Sequence, residues 1–275
     1  PWGMRASVLV ALCPLLGSCT ATLLYEPRIL VSPYLAMNQV RGRVSAQSSP
    51  GGGAPVQNNT AQSMRTFGQD RHDDDVGVRA DIGDGFGGLR FDYYRMDMFT
   101  SRAGILTDDW GALLQGDLVR MRVEMDEFRL GYVEPLLETK VTFREQPVSF
   151  QGAAGGVLAH RNMQLRARTD DGVRRQSFEV DGDVIYAAIR GRASWQNIAL
   201  DLDYAISPDF TLGGDFGSMQ QDIEVRASYT LPMRDVSFFL GYRYSEFEAT
   251  GNGGNLGYDA DLKLDGYQLG VTVSF

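Results

Sequence analysis

Two histidines, His72 and His160, are the side chains of this chain whose ordinary pKa lies near neutral pH. His160 stands between Ala159 and Arg161, and no serine is adjacent to it that a general base could activate. The run from His72 to Asp75 offers oxygen ligands for a divalent cation, but such a run is more often a solvated loop edge. From these residues we predict that the protein is not an enzyme and that it binds neither a metal ion nor a cofactor.

Arginines and carboxylates are placed so that they can pair across a hairpin. Arg190 and Arg192 precede Gln196-Asn197, and Asp201 and Asp203 follow it, all at every second position of apolar segments. If residues 196–197 form a two-residue turn, antiparallel pairing places Arg192 opposite Asp201 and Arg190 opposite Asp203. A slip of one residue would turn all four charges toward the apolar face.

Three further hairpins give opposed charges in the same way. Turns at 83–88, 126–127 and 232–235 set Asp81 against Arg90, Arg79 against Asp92, Glu124 against Arg129 and Glu224 against Arg243. An unpaired charge inside a narrow, poorly hydrated lumen is strongly unfavourable, so these pairs predict an Arg/carboxylate-lined lumen. The predicted lumen-lining or pore-lining residues are Arg79, Asp81, Arg90, Asp92, Arg120, Arg122, Glu124, Arg129, Arg190, Arg192, Asp201, Asp203, Asp222, Glu224, Arg226 and Arg243.

Apolar residues occupy the alternate positions of these segments, which are about ten residues long, as in transmembrane β-strands. Soluble β-sandwiches alternate in the same way, so the period alone does not decide between them. Trp195, Tyr244 and Tyr267 stand at segment ends, where the aromatic girdles of a membrane barrel lie. The residues expected to face lipid include Val119, Met121, Val123, Met125, Ile185, Ala187, Ile189, Ile198, Leu200, Leu202 and Tyr204.

The C-terminal segment ends on an aromatic residue preceded by apolar residues at every second position: Tyr267, Leu269, Val271, Val273 and Phe275. It resembles the signal read by the outer-membrane assembly machinery, and the chain resembles bacterial outer-membrane, porin-like β-barrel proteins. The resemblance implies an all-β fold, an antiparallel up-and-down transmembrane β-barrel of about 12 strands, with eight or ten as alternatives. It also implies the outer membrane of a Gram-negative bacterium, with outer-membrane lipid and lipopolysaccharide as partners.

The N-terminal residues predict export. Met4-Arg5 precedes the apolar run 6–16, which is too short to cross a bilayer and is typical of a signal peptide. The following Leu16-Gly17-Ser18-Cys19 resembles a lipobox and predicts an acylated Cys19, while cleavage after Ala21 is the alternative. The chain thus divides into a signal segment, 1–21, and a barrel, 22–275.

The charge balance argues against nucleic acid as a partner. The chain has 26 basic and 35 acidic residues, a formal net charge of −9, and nucleic-acid binding surfaces are basic.

Connections between the predicted strands alternate in length. Short turns at 83–87, 126–127, 196–197 and 232–235 are expected in the periplasm, and long loops at 45–73, 99–113, 170–183, 208–219 and 247–258 outside. The sequence favours a porin-like passive channel for ions or small polar solutes. The alternative is a lumen-closed structural or surface-interaction barrel of the outer membrane.

Overall fold

The computed structural model describes residues 27–49, 56–69, 72–100, 102–207, 211–214, 220–232, 234–253 and 256–275. The signal segment, the lipobox with Cys19 and the alternative cleavage site lie outside these residues. Acylation of Cys19 and the boundary at residue 21 stay predictions.

Period-two alternation gives rise to one antiparallel sheet. Its strands are β1 (Arg28–Ala46), β2 (Gln62–Ser63), β3 (Asp73–Gly83), β4 (Gly88–Phe99), β5 (Gly104–Ile105), β6 (Leu118–Phe143), β7 (Gln146–Thr169), β8 (Arg175–Trp195), β9 (Ile198–Ser207), β10 (Thr211–Gly214), β11 (Gln220–Thr230), β12 (Val236–Gly253) and β13 (Leu256–Ser274). A 3₁₀ turn, Met64–Phe67, follows β2. No helix within the described residues is long and apolar enough to cross a membrane.

The sheet closes on itself. The ring runs β8, β7, β6, β4, β3, β1, β13, β12, β11, β9, and β9 returns to β8, so ten strands of the described residues complete it. Short β2 pairs with β1, β5 with β6, and β10 with β8. The predicted antiparallel up-and-down barrel is confirmed. Its ring of ten strands corresponds to one of the two alternatives, eight or ten, to the predicted number of about twelve.

An apolar belt surrounds the barrel. Outward side chains in the middle of the ring strands, such as Leu35, Leu200, Leu240 and Leu269, are exposed on the protein surface. A closed ring satisfies its backbone hydrogen bonds internally, which is the condition for contact with hydrocarbon. Tyr267 lies at the boundary of this belt, because the outward positions that follow toward the start of β13 are Asp265 and Lys263.

The predicted turn at 126–127 is wrong, because β6 runs without a break from Leu118 to Phe143. Each acidic side chain has a partner on its own face of the strand. Tyr93 donates a hydrogen bond to the outward Asp126 (2.9 Å), and the inward Glu127 accepts one from Arg161.

The true turn is Arg144-Glu145, where both residues have positive φ (48° and 65°), as a two-residue hairpin of type I′ requires. Pro135, which blurs the pattern in the sequence, is accommodated where the register shifts between Pro135 and Leu137.

The strands extend beyond the belt at the end of the barrel opposite this turn. The predicted loop 170–183 is mostly strand, since β8 already begins at Arg175, and β12 and β13 are separated only by residues 254–255. We call this projecting part the extension and the side of the barrel that carries it the loop end. The turn end carries residues 84–87, 144–145, 196–197, 231–232 and 234–235.

The orientation of the barrel gives a first prediction. A peptide tag inserted after Asn252, at the loop end, should be accessible to antibody in intact cells, whereas a tag after Asn197, at the turn end, should require permeabilised cells. The prediction rests on the short turns and on Phe275, whose backbone pairs with Ile29 at the turn end. Labelling of the Asn197 tag in intact cells would reverse the orientation.

Candidate functional site

The hairpin of β8 and β9 carries the predicted charge pairs. Arg192 lies opposite Asp201 and Arg190 opposite Asp203 in the strand register. Arg192 donates from Nε to Asp201 Oδ1 (2.6 Å), and Arg190 donates from Nε to Asp203 Oδ1 (2.5 Å). All four point into the lumen, because the alternate positions carry the apolar belt.

Ion pairs also cross the lumen between strands that are not neighbours. Arg79 of β3 binds Asp92 of β4 (2.9 Å) and Glu224 of β11 (2.7 Å). Arg90 of β4 binds Asp81 of β3 (2.6 Å) and Asp203 of β9 (3.0 Å). Because β3 and β4 are separated from β9 and β11 by other strands on both sides, these guanidinium groups span the interior.

Glu127 stands where three arginines converge. It binds Arg129 Nε (2.6 Å), Arg161 Nη2 (2.5 Å) and Arg243 Nη2 (2.6 Å), and its side chain is 1% exposed. Arg129 and Arg243 are bridged a second time by Asp222 (2.8 and 2.9 Å). We call the resulting network of arginines and carboxylates the lattice, and most of its contacts are short, charge-assisted hydrogen bonds.

The lattice contains thirteen of the predicted lumen-lining residues: Arg79, Asp81, Arg90, Asp92, Arg129, Arg190, Arg192, Asp201, Asp203, Asp222, Glu224, Arg226 and Arg243. The expected partners differ in part. Glu224 does face Arg243 in the register, but its ion pair is with Arg79. Arg226 lies 3.6 Å from Asp201.

Glu127 and Arg161 are lattice residues that sequence reasoning missed. The sequence pattern places Glu127 in a turn, and Arg161 directly follows the stretch 132–160, where prolines and glycines obscure the alternation. Extending β6 through 126–127 would have placed Glu127 on the same face as Arg129, two residues later.

Three predicted lumen residues lie on the outer face instead. Arg120, Arg122 and Glu124 point outward, whereas Val119, Met121, Val123 and Met125 are buried inside the extension. The predicted faces of this stretch, and the pair Glu124–Arg129, are therefore wrong. In the extension the outer face contacts water and the inner face contacts apolar side chains. The polar residues of the alternating pattern therefore point outward there, whereas within the apolar belt they point into the lumen.

An apolar plug fills the extension. It consists of the segments 62–69 and 102–117, which fold inward between the strands. The Trp110 ring lies 5.0 Å from that of Phe67 and 4.8 Å from that of Phe178 on β8, in edge-on contacts. Trp110 and its neighbours Leu106 and Leu113 are at most 1% exposed. The plug covers the lattice from the loop end.

The turn between β3 and β4 covers the lattice from the other side. Arg190 Nη1 donates to the Phe86 carbonyl (2.7 Å), and Arg192 Nη1 donates to the Gly85 carbonyl (2.6 Å). Gly85 has a φ of 91°, a conformation that favours glycine. The Phe86 ring is buried, with the Arg192 guanidinium 5.3 Å from its centroid. This turn is therefore folded into the lumen.

Little space is left between these layers. The lattice encloses a cavity of about 60 Å³, and a polar vestibule of about 280 Å³ lies toward the turn end, beside Arg28, Arg226 and Arg234.

The histidine considered for catalysis lies outside the lumen. His160 is exposed, and its Nδ1 lies 3.0 Å from Asp183 Oδ1. No group of three or more metal-ligating side chains within the described part of the chain could hold a metal ion.

Comparison with known proteins identifies the fold. No family model and no curated protein matches the chain. The outer membrane protease OmpT from Escherichia coli is similar in structure, with 8% sequence identity, 90% of this chain and 97% of that chain covered, and a TM-score of 0.50.

Two other solved structures resemble the chain more weakly. Ail, the attachment invasion locus protein of Yersinia pestis, has 10% identity over 91% of this chain and 99% of that chain, with a TM-score of 0.36. A FadL homologue of Pseudomonas aeruginosa has 8% identity over 91% and 90%, with a TM-score of 0.28. At these identities the likeness concerns the fold. With its closed ring and apolar belt, the chain has the fold of bacterial outer-membrane β-barrel proteins.

Proposed function

We propose that this protein is a lumen-closed outer-membrane barrel that acts at the cell surface through its extension. The observation that carries the proposal is the lattice, whose arginines and carboxylates reach across the lumen and neutralise each other. This function corresponds to the alternative derived from the sequence.

Burial of the lattice supports a closed lumen. The side chains of Arg79, Glu127, Arg161 and Arg243 are each at most 6% exposed. Charges that line an open aqueous pore keep their hydration, whereas buried charges depend on their partners. Moving one guanidinium aside to admit a solute would leave its carboxylates without compensation.

The plug and the inward turn add two further barriers in series. A solute entering from the loop end would have to displace the packed rings of Phe67, Trp110 and Phe178, and one leaving at the turn end would have to pass Phe86. Fully burying a side chain of this size contributes about 1.5–3 kcal/mol, so opening the plug is expected to be rare.

A porin-like passive channel, which the sequence favours, stays the competing proposal. It requires the plug and the lattice to rearrange together. The likeness to OmpT shows the fold alone and does not bear on whether this chain is an enzyme.

Solute uptake tests the proposal. Purified protein reconstituted in liposomes should give no swelling above that of protein-free liposomes in isosmotic solutions of glycine, arabinose or glucose. An open general porin reconstituted at the same protein-to-lipid ratio is the positive control. Swelling that increases with the amount of this protein and falls with solute size would support the porin-like channel instead.

A further inference from the structure

The outer face of the extension carries a basic groove of about 1000 Å³. We call it the arginine groove. Its charged lining consists of Arg120, Arg122, Arg166, Arg168, Arg175 and Asp97. Five positive charges against one negative charge stand out in a chain whose net charge is −9.

The strand register stacks like charges in this groove. Arg120 of β6 lies opposite Arg168 of β7, and Arg168 lies opposite Arg175 of β8. Directly opposed like charges destabilise a sheet. Inside the lumen the same strands place opposite charges together, as in the pair Glu127–Arg161, whereas this outer row places three arginines side by side.

Neighbouring carboxylates neutralise only part of the groove. Arg120 binds Asp170 (2.7 Å), and Arg122 binds Asp97 (2.5 Å). Glu124 binds Arg122 (3.3 Å) and Arg166 (3.1 Å). The hydrogen bonds from Arg122 lower the pKa of Asp97, which keeps this pair ionised. By contrast, Arg168 and Arg175 are exposed and have no carboxylate within 4.0 Å among the described residues.

The distance of the groove from the apolar belt indicates which layer of the membrane surface it contacts. On β6 the outward positions after Phe128 are charged as far as Arg120, which lies eight positions further into the extension. At about 3.3 Å per residue and a tilt of about 40°, Arg120 stands roughly 20 Å above the apolar belt. This level lies beyond the lipid headgroups, in the saccharide layer of the outer leaflet.

We propose that the arginine groove binds phosphate groups on the core saccharide of lipopolysaccharide in the surrounding membrane. Guanidinium forks match phosphate oxygens bidentately, and a phosphorylated saccharide would supply the negative charge that Arg168 and Arg175 lack. The inference rests on the proposed function only in placing the extension outside the cell.

Lipopolysaccharide binding by charge-matched variants tests this inference. The full-length barrel in nanodiscs is titrated with lipopolysaccharide that carries a phosphorylated core. The double variant Arg168→Gln/Arg175→Gln should bind at least about tenfold more weakly than the wild type, because it loses the charge-assisted hydrogen bonds to phosphate. The control Arg41→Gln/Arg43→Gln removes the same charge from outward positions on β1 and should leave the affinity unchanged.

Two further ligands identify the group that is bound. Lipopolysaccharide whose core phosphates have been removed, and a heptose-deficient form that retains the lipid A phosphates, should both bind wild type and double variant equally weakly. Equal affinity of the wild type and the double variant for the phosphorylated core would overturn the inference, as would a preference for lipid A alone. Solute uptake is measured separately, so failure of the closed lumen is distinguishable from failure of this binding site.

Discussion

Replacing Glu127 with glutamine is expected to lower the free energy of unfolding of the barrel by about 3–5 kcal/mol. The glutamine side chain fills the same space but removes the negative charge shared by Arg129, Arg161 and Arg243. Asp222 would then be the carboxylate left to bridge Arg129 and Arg243. Urea unfolding of the refolded protein in detergent micelles, followed by tryptophan fluorescence, measures the loss.

Glu124 provides the matched control three residues away on the same strand. It binds Arg122 (3.3 Å) and Arg166 (3.1 Å) on the outer face, where its side chain is 26% exposed. Because exposed ion pairs contribute little, Glu124→Gln should cost at most about 1 kcal/mol. Equal destabilisation by the two variants would contradict the different roles that the fold assigns to the two carboxylates.

Trp110→Ala is expected to have the second large effect. The indole is 0% exposed and packs between Phe67 and Phe178, so its removal leaves a cavity in the plug. Loss of a large buried aromatic side chain typically costs about 3–5 kcal/mol. Because this tryptophan would itself report on unfolding, circular dichroism is the better measurement for this variant.

Leu114 lies in the same segment of the plug but is 48% exposed. Leu114→Ala should change stability by no more than about 0.5 kcal/mol, as is usual for surface positions. If Trp110→Ala were as mild as Leu114→Ala, the segment 102–117 would not be a packed plug.

The register of the β8–β9 hairpin could be predicted from the sequence because several local signals agree. A short polar turn separates two alternating segments, and the correct pairing places Arg190 and Arg192 opposite carboxylates. A slip would expose arginines to hydrocarbon at a cost of about 2–4 kcal/mol each at mid-bilayer. One register is therefore much better than its neighbours.

The extension could not be predicted in the same way. Alternation of polar and apolar residues shows that the two faces of a strand differ, but it does not show which of them contacts water. On β6 the meaning of the pattern changes near Asp126, where the strand leaves the belt: Phe128 faces lipid, while Arg122 faces solvent and Met121 faces the plug. The position of the membrane boundary along each strand depends on the tilt of the whole barrel.

The connections of the lattice depend on the closed ring as well. Arg79 and Glu224 are 145 residues apart in the chain, and their contact follows from the number and stagger of the strands between them. The plug segment 102–117 shows no period that would assign its Trp110 to the interior. Charge pairs within one hairpin can thus be predicted from the sequence, whereas contacts across the lumen can be identified only once the closed barrel is known.

Single-channel recording tests the closed lumen most directly. Purified, folded protein inserted in planar bilayers in 1 M potassium chloride, where the Debye length is about 3 Å, should give no steady conductance steps across the applied voltages. An open porin inserted under the same conditions confirms that insertion is detected. Regular openings of uniform size, with a conductance that scales with salt concentration, would show that ions pass the lattice and would contradict the closed lumen.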